Sequence, residues 1–146
     1  MTDARQQPGW VILFACICAV SCSGIAARVR QEKHEAEASQ TLRDVRAAER
    51  TFKARHDRFG TLVELAEAGL LGLPPADRTS AVYRFSSSAT ANSYEVAATP
   101  TRRDDAYAYV GWSFFLDESG VIRGAPYGKA DGYRVAGKGD QPIQQQ

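Results

Sequence analysis

Hydrophobic and polar positions follow three regimes along this chain. Residues 10–27 carry no charge. A membrane-spanning helix needs roughly 17–25 mostly apolar residues, so this segment is just long enough, and Trp10 at its edge suits the headgroup level. Next, Ala38, Leu42, Val45, Ala48, Phe52 and Phe59 recur mostly at steps of three and four among charged residues. That spacing predicts an amphipathic helix whose apolar stripe packs on the domain's own sheet. Charges fill the opposite face, where Glu49 and Lys53 form a favourable i,i+4 pair. Gly60 is expected to end the helix as a left-handed cap. Thr61 and Glu64 read as a capping box opening a short second helix to about Ala68, which Gly69, Gly72, Pro74 and Pro75 close.

The period then changes to two. Tyr83 and Phe85 share one face of a strand over 82–86, and Tyr94 and Val96 share one face over 93–98, with a loose polar loop over 86–92 between them. Residues 112–116 form the strongest strand. Asp117-Glu118-Ser119-Gly120 is a turn, and 121–123 returns as a short strand. From Gly128 onward glycine and polar residues dominate, which predicts a flexible tail. The fold class is therefore α+β: a long N-terminal helix, membrane segment plus amphipathic half, packed on a small antiparallel sheet of about four strands. The domain reading is 1–9 as a leader or cytoplasmic n-region, 10–27 as a transmembrane or signal segment, 28–127 as a soluble domain and 128–146 as the tail.

Composition narrows the partners. The 146 residues carry a formal net charge of +1. Residues 28–58 are locally basic, but Glu32, Glu35, Glu37, Asp44, Glu49 and Asp57 interleave with the cations. Mixed signs read as a solvated helix face rather than a nucleic-acid stripe. All three cysteines, Cys16, Cys18 and Cys22, lie in the apolar segment, so the rest of the chain has no disulfide framework and no zinc ligand set.

The N-terminal segment has several readings. It is an uncleaved anchor, or a signal peptide in which Ala19-Val20-Ser21-Cys22 resembles a lipoprotein box with Cys22 lipidated, although Ala19 stands where Leu is usual. A third reading is a short leader, residues 1–9, cut between Gly9 and Trp10. The flanking charges, Arg5 on one side against Arg28, Arg30 and Lys33 on the other, would place the domain in the cytoplasm on a literal positive-inside count.

The order of features resembles the type IV pilins and type II secretion pseudopilins. Glu37-Ala38-Ser39-Gln40-Thr41-Leu42-Arg43 looks like the start of that family's soluble half-helix. Phe59-Gly60-Thr61-Leu62 with Leu70-Leu71 looks like the turn and short helix after it. Tyr83-Arg84-Phe85, the run from Tyr94 to Pro100 and, most specifically, the run from Phe114 to Arg123 look like its strands. The resemblance covers about residues 30–124. It implies a prepilin-type cut at Gly9-Trp10, an export-side domain and helix packing between subunits. Three departures bear on processing and assembly. The fifth residue after Gly9 is Phe14 where the family carries a glutamate, which removes a buried acid that would need a partner in lipid. No Pro occurs between Trp10 and Phe59, and the distance from Gly9 to Glu37 is shorter than usual.

No catalytic constellation is present: there is no phosphate loop, no HExxH and no GxSxG. The two histidines, His34 and His56, read as surface residues. The resemblance raises calcium at Asp117 with Asp131 or Asp140, yet calcium wants six to eight oxygens, so a solvated turn is the better reading and no metal or cofactor is expected. Tyr107, Tyr109 and Trp112 read as edge packing, with an interaction surface as the alternative. The expectation is a non-enzymatic, membrane-anchored, pilin-like structural or accessory subunit of a type IV pilus or type II secretion system. It sits in the bacterial inner membrane with its domain in the periplasm. Phe14, Val20, Leu42, Val45 and Phe52 carry its helix packing, and its partners are the membrane and other pilin-like subunits or the secretion machinery. The alternative is an envelope lipoprotein or single-span protein that uses the domain as a non-polymerising binding module. A hydrolase with an unrecognised site is a remote third class.

Overall fold

The computed structural model describes residues 10–72, 82–101, 111–128 and 132–143, with side chains from Arg28 onward. The chain divides into two compact units, Met1–Lys33 and His34–Gln146. Helix α1 runs over Trp10–His56 and α2 over Leu62–Glu67. The strands are β1 (Tyr83–Ala89), β2 (Tyr94–Pro100), β3 (Gly111–Asp117), β4 (Ile122–Tyr127) and β5 (Gln141–Pro142). They form one sheet in the order β1-β2-β3-β4-β5, every neighbouring pair antiparallel. The α+β class and the helix on an antiparallel sheet are as expected, with five strands instead of about four.

Residues 10–27 are helical in their backbone. Their side chains, including Phe14, Val20 and Cys22, lie outside the described residues, as does the leader with Gly9. Among the described residues no helix is long and apolar enough to cross a membrane.

The stripe on α1 is buried as the periodicity predicts. Leu42 and Val45 are fully buried, and Ala38, Ala48 and Phe52 nearly so. They join one core with Leu62 and Leu65 of α2 and with alternate strand residues: Tyr83 and Phe85, Tyr94, Val96 and Ala98, Phe114 and Leu116, and Ile122. This is the period-two alternation expected of a sheet with a helix on one face. Phe59 packs half-buried against the same core.

Three local expectations are corrected. First, the residue that turns the chain at the end of α1 is Asp57, at φ 54°, not Gly60. Aspartate enters this region more easily than most residues because its short polar side chain bonds locally. Gly60 serves a different need: a Cβ there would stand 3.0 Å from the Phe52 ring. Second, β1 continues to Ala89, so the loop before β2 at Tyr94 is short. Thr90 closes it, its N–H donating to Ser93 O at 2.8 Å while its hydroxyl meets Ser93 Oγ at 2.9 Å. Third, β4 runs well beyond Arg123 to Tyr127.

The stretch expected as a tail is tied down over residues 132–143. It covers the second face of the sheet, where Ala136 is buried against Phe115 and Ala125. Ala136 N–H donates to the Ser113 hydroxyl at 2.9 Å, and that hydroxyl reaches Arg134 O at 3.2 Å. Arg134 forks onto Asp140 at 2.6 and 2.8 Å, closing the segment on itself. β5 then pairs with β4, and Ile143 crosses to the helix side, where its Cγ2 would be 2.9 Å from a Cβ on Gly124. The capping box is as read: Thr61 Oγ1 accepts from Glu64 N–H, and Glu64 Oε2 accepts from Thr61 N–H at 2.8 Å.

Gly60→Ala is expected to lower stability by about 1–3 kcal/mol through overpacking against Phe52. Combining it with Phe52→Leu should recover part of that loss, because the ring is the obstacle. Denaturant melts of the four-member cycle measure the coupling; a purely additive cycle would assign the cost to backbone strain instead.

Candidate functional site

Polar contacts clasp α1 to the sheet at three heights. Trp112 N–H at the start of β3 donates to Glu35 Oε1 at 3.2 Å. Arg46 Nη1 donates to Gly120 O in the β3–β4 turn at 3.0 Å. Lys53 Nζ donates to Ala91 O in the β1–β2 turn at 2.9 Å, and to Asp57 O at 2.8 Å. The two turns lie at the same end of the meander, and between them and α1 is a cleft of about 230 Å³. It is lined by Arg46, Glu49, Arg50, Lys53, Phe59, Tyr94, Glu118 and Gly120.

Glu49 is the unexpected member. It does not pair with Lys53 across the solvated face of the helix. It is 1% exposed, inside the α1 stripe, and accepts from Gly60 N–H at 3.0 Å. Among the described residues it has no ion pair. Burial pushes its carboxyl up to about 7; the Gly60 bond opposes this and Glu64 adds to it. Gly60 thus lets the chain pass close over Phe52 and turns its N–H onto the one buried acid of the helix. In the same lining the Tyr94 ring meets that of Phe59 at a tilt, 4.9 Å between ring centroids. Burial, then the Glu49 and Asp117 charges, push the Tyr94 phenol up to about 12.

The other candidate residues are placed apart from this cleft or engaged elsewhere. Leu42, Val45 and Phe52 sit in the core. Asp117 is pushed up by burial, but bonds from Ser119 and the Arg123 charge outweigh this and leave it lowered. Asp140 is held low by Arg134 and by Gly137 N–H. Among the described residues no group of three or more His, Cys, Asp or Glu is placed to hold a metal, and Asp131 lies outside them. Trp112 packs half-buried on the core, while Tyr107 and Tyr109 lie outside the described residues. His34 pairs with Glu37 at 3.4 Å, and the exposed His56 stacks on Phe52 at 4.3 Å.

Glu49 was missed as a site residue because a charged position beside a lysine four residues on has the signature of a surface pair. The available signal was its place beside Val45, Ala48 and Phe52, on the buried side of the helix. No family model, curated protein or solved structure matches this chain.

Glu49 gives stability a definite pH dependence. A carboxyl harder to ionise in the folded than in the unfolded chain binds extra protons when folded between about pH 4.5 and 7. Its penalty is therefore absent below pH 4.5, grows through that window and is complete above pH 7, at about 3 kcal/mol. Glu64 has the opposite sign. Held at about 2, chiefly by the Arg58 bond, it contributes stability above pH 4.5 that is lost as pH falls towards 2. Thermal melts are expected to peak near pH 5. Glu49→Gln, which keeps an acceptor for Gly60, should raise the midpoint by several degrees at pH 8 and leave it unchanged at pH 4.5. An equal shift at both would refute the buried ionisation.

Proposed function

We propose that this chain is a pilin-like subunit, structural or accessory, of a type IV pilus or type II secretion system. Residues 10–27 hold it in the bacterial inner membrane, and His34–Gln146 works on the periplasmic side. What supports the reading is one arrangement: a helix whose stripe, Leu42, Val45 and Phe52, packs on an antiparallel meander. That is the architecture the sequence resemblance implies. The role is mechanical. The buried stripe makes helix and sheet move as one body, so a load on the helix is carried by apolar packing and the polar clasps rather than by a hinge. Phe14 and Val20 are then the positions that pack against the helices of neighbouring subunits.

A second reading is favoured by one residue. Phe14 stands where the family's assembly glutamate belongs, so the chain would act as a non-polymerising envelope lipoprotein or single-span binding module, or as a minor subunit. Intact mass of the protein extracted from membranes separates these. Loss of residues 1–9 is the expected result for prepilin-type processing. Loss of residues 1–21 with added lipid on Cys22 would establish the lipoprotein, and an unshortened chain a plain anchor. Recovery of the protein entirely from the soluble fraction, with no membrane-bound form, would overturn both.

A further inference from the structure

We propose that the cleft between α1 and the two hairpin turns is a docking site for an acidic peptide segment of a partner protein. The argument is charge complementarity on a preorganised wall. Arg46, Arg50 and Lys53 line one side of the cleft at steps of four and three along α1. They span about 10 Å of helix at 1.5 Å per residue. The half-buried Arg46 and Lys53 are held in place chiefly by neutral backbone carbonyls. A carbonyl fixes a cation's position without cancelling its charge, so both remain able to attract an anion.

Most nearby acids, meanwhile, are occupied. Glu95 of β2 binds Lys138 at 3.2 Å; Glu118, itself in the cleft lining, approaches the same ammonium at 3.7 Å across an exposed gap, so three cations face one exposed carboxylate in the lining. Glu64 of α2 is paired with Arg58 at 2.6 Å, and Asp117 with Arg123 at 3.5 Å. Asp57 approaches Lys53 at 3.7 Å from a fully exposed position, where screening by water leaves little net attraction. Arg46 and Arg50 have no carboxylate partner among the described residues. Glu49, also in the lining, is buried and accepts from Gly60 N–H at 3.0 Å.

The shape argues for a peptide. The backbones of Arg46 and Lys53 stand about 10 Å apart along the helix, room for more than one anionic group. An extended strand presents same-side carboxylates roughly 7 Å apart, so two successive ones fit within that span. The rings of Phe59 and Tyr94 form an apolar wall for the methylenes of such side chains. A volume of about 230 Å³ accommodates side chains at the mouth while the peptide backbone lies over the exposed Arg50.

The test uses the full chain in neutral detergent with fluorescein-labelled hexaglutamate, read by anisotropy. This holds whether or not the N-terminus is processed, so its outcome is separate from that of the pilin-like reading. Saturable binding is expected at pH 6, weakened by salt. Arg50→Gln should reduce affinity roughly threefold or more without changing the melting temperature, while Arg55→Gln, an exposed arginine outside the cleft lining, should have a smaller effect. Absence of binding at low salt would overturn the proposal. So would equal losses from Arg50→Gln and Arg55→Gln, which would mean diffuse attraction. Full competition by millimolar inorganic phosphate would reduce the cleft to a simple anion site and overturn the peptide assignment.

Discussion

The stripe of α1 and the inner face of the sheet each need the other. Leu42, Val45 and Phe52 cannot stay in water without losing about 1.5–3 kcal/mol apiece, and Val96, Phe114 and Leu116 face the same cost on the strands. Joining the two surfaces removes both. The other contacts follow from that apposition. Glu35, Arg46 and Lys53 lie at the margins of the stripe, so once the helix is seated they reach Trp112, Gly120 and Ala91. The clasps select register and angle; the apolar burial supplies most of the attraction.

The sheet has two faces, and α1 covers one. The second would leave Phe115 and Ala125 in water were it not for residues 132–143. To this face the segment contributes few apolar side chains, Ala136 and the Tyr133 ring beside Tyr127 foremost. It is held instead by the Ser113 hydroxyl, by backbone pairing to β4 and by the Arg134–Asp140 fork. It also occupies part of the β4 edge, where unpaired backbone groups would otherwise be open to another strand.

Glu49 is the point at which stability gives way to something else. A leucine-like residue at that place in the stripe would avoid the desolvation of a carboxyl. The acid instead lines the cleft together with Arg46, Arg50 and Lys53, its carboxyl raised to about 7 by burial. A carboxyl perturbed by burial and placed in a cleft is a candidate for function. The same acid ties the α1 terminus to Gly60 and so to α2, which links the proton on Glu49 to the geometry of the corner above the core.

Features set by local rules were legible in the sequence. Steps of three and four marked the buried residues of α1, alternation marked Tyr83, Phe85, Tyr94 and Val96, and Thr61 with Glu64 declared the start of α2. Each depends only on backbone period or on atoms a few residues apart. Features that depend on distant neighbours were not legible. Gly60 is constrained by the Phe52 ring, not by its own φ. The segment after Gly128 looks unstructured because glycine and polar composition hides bonds made by backbone atoms and by Ser113. Glu49 carries the same letter as a surface glutamate, and only the packing of α2, Phe59 and β2 around it removes its water. Sequence alone determined which surfaces must be dry; tertiary structure decided which polar groups were shut in with them, because desolvation comes from what the rest of the chain brings alongside.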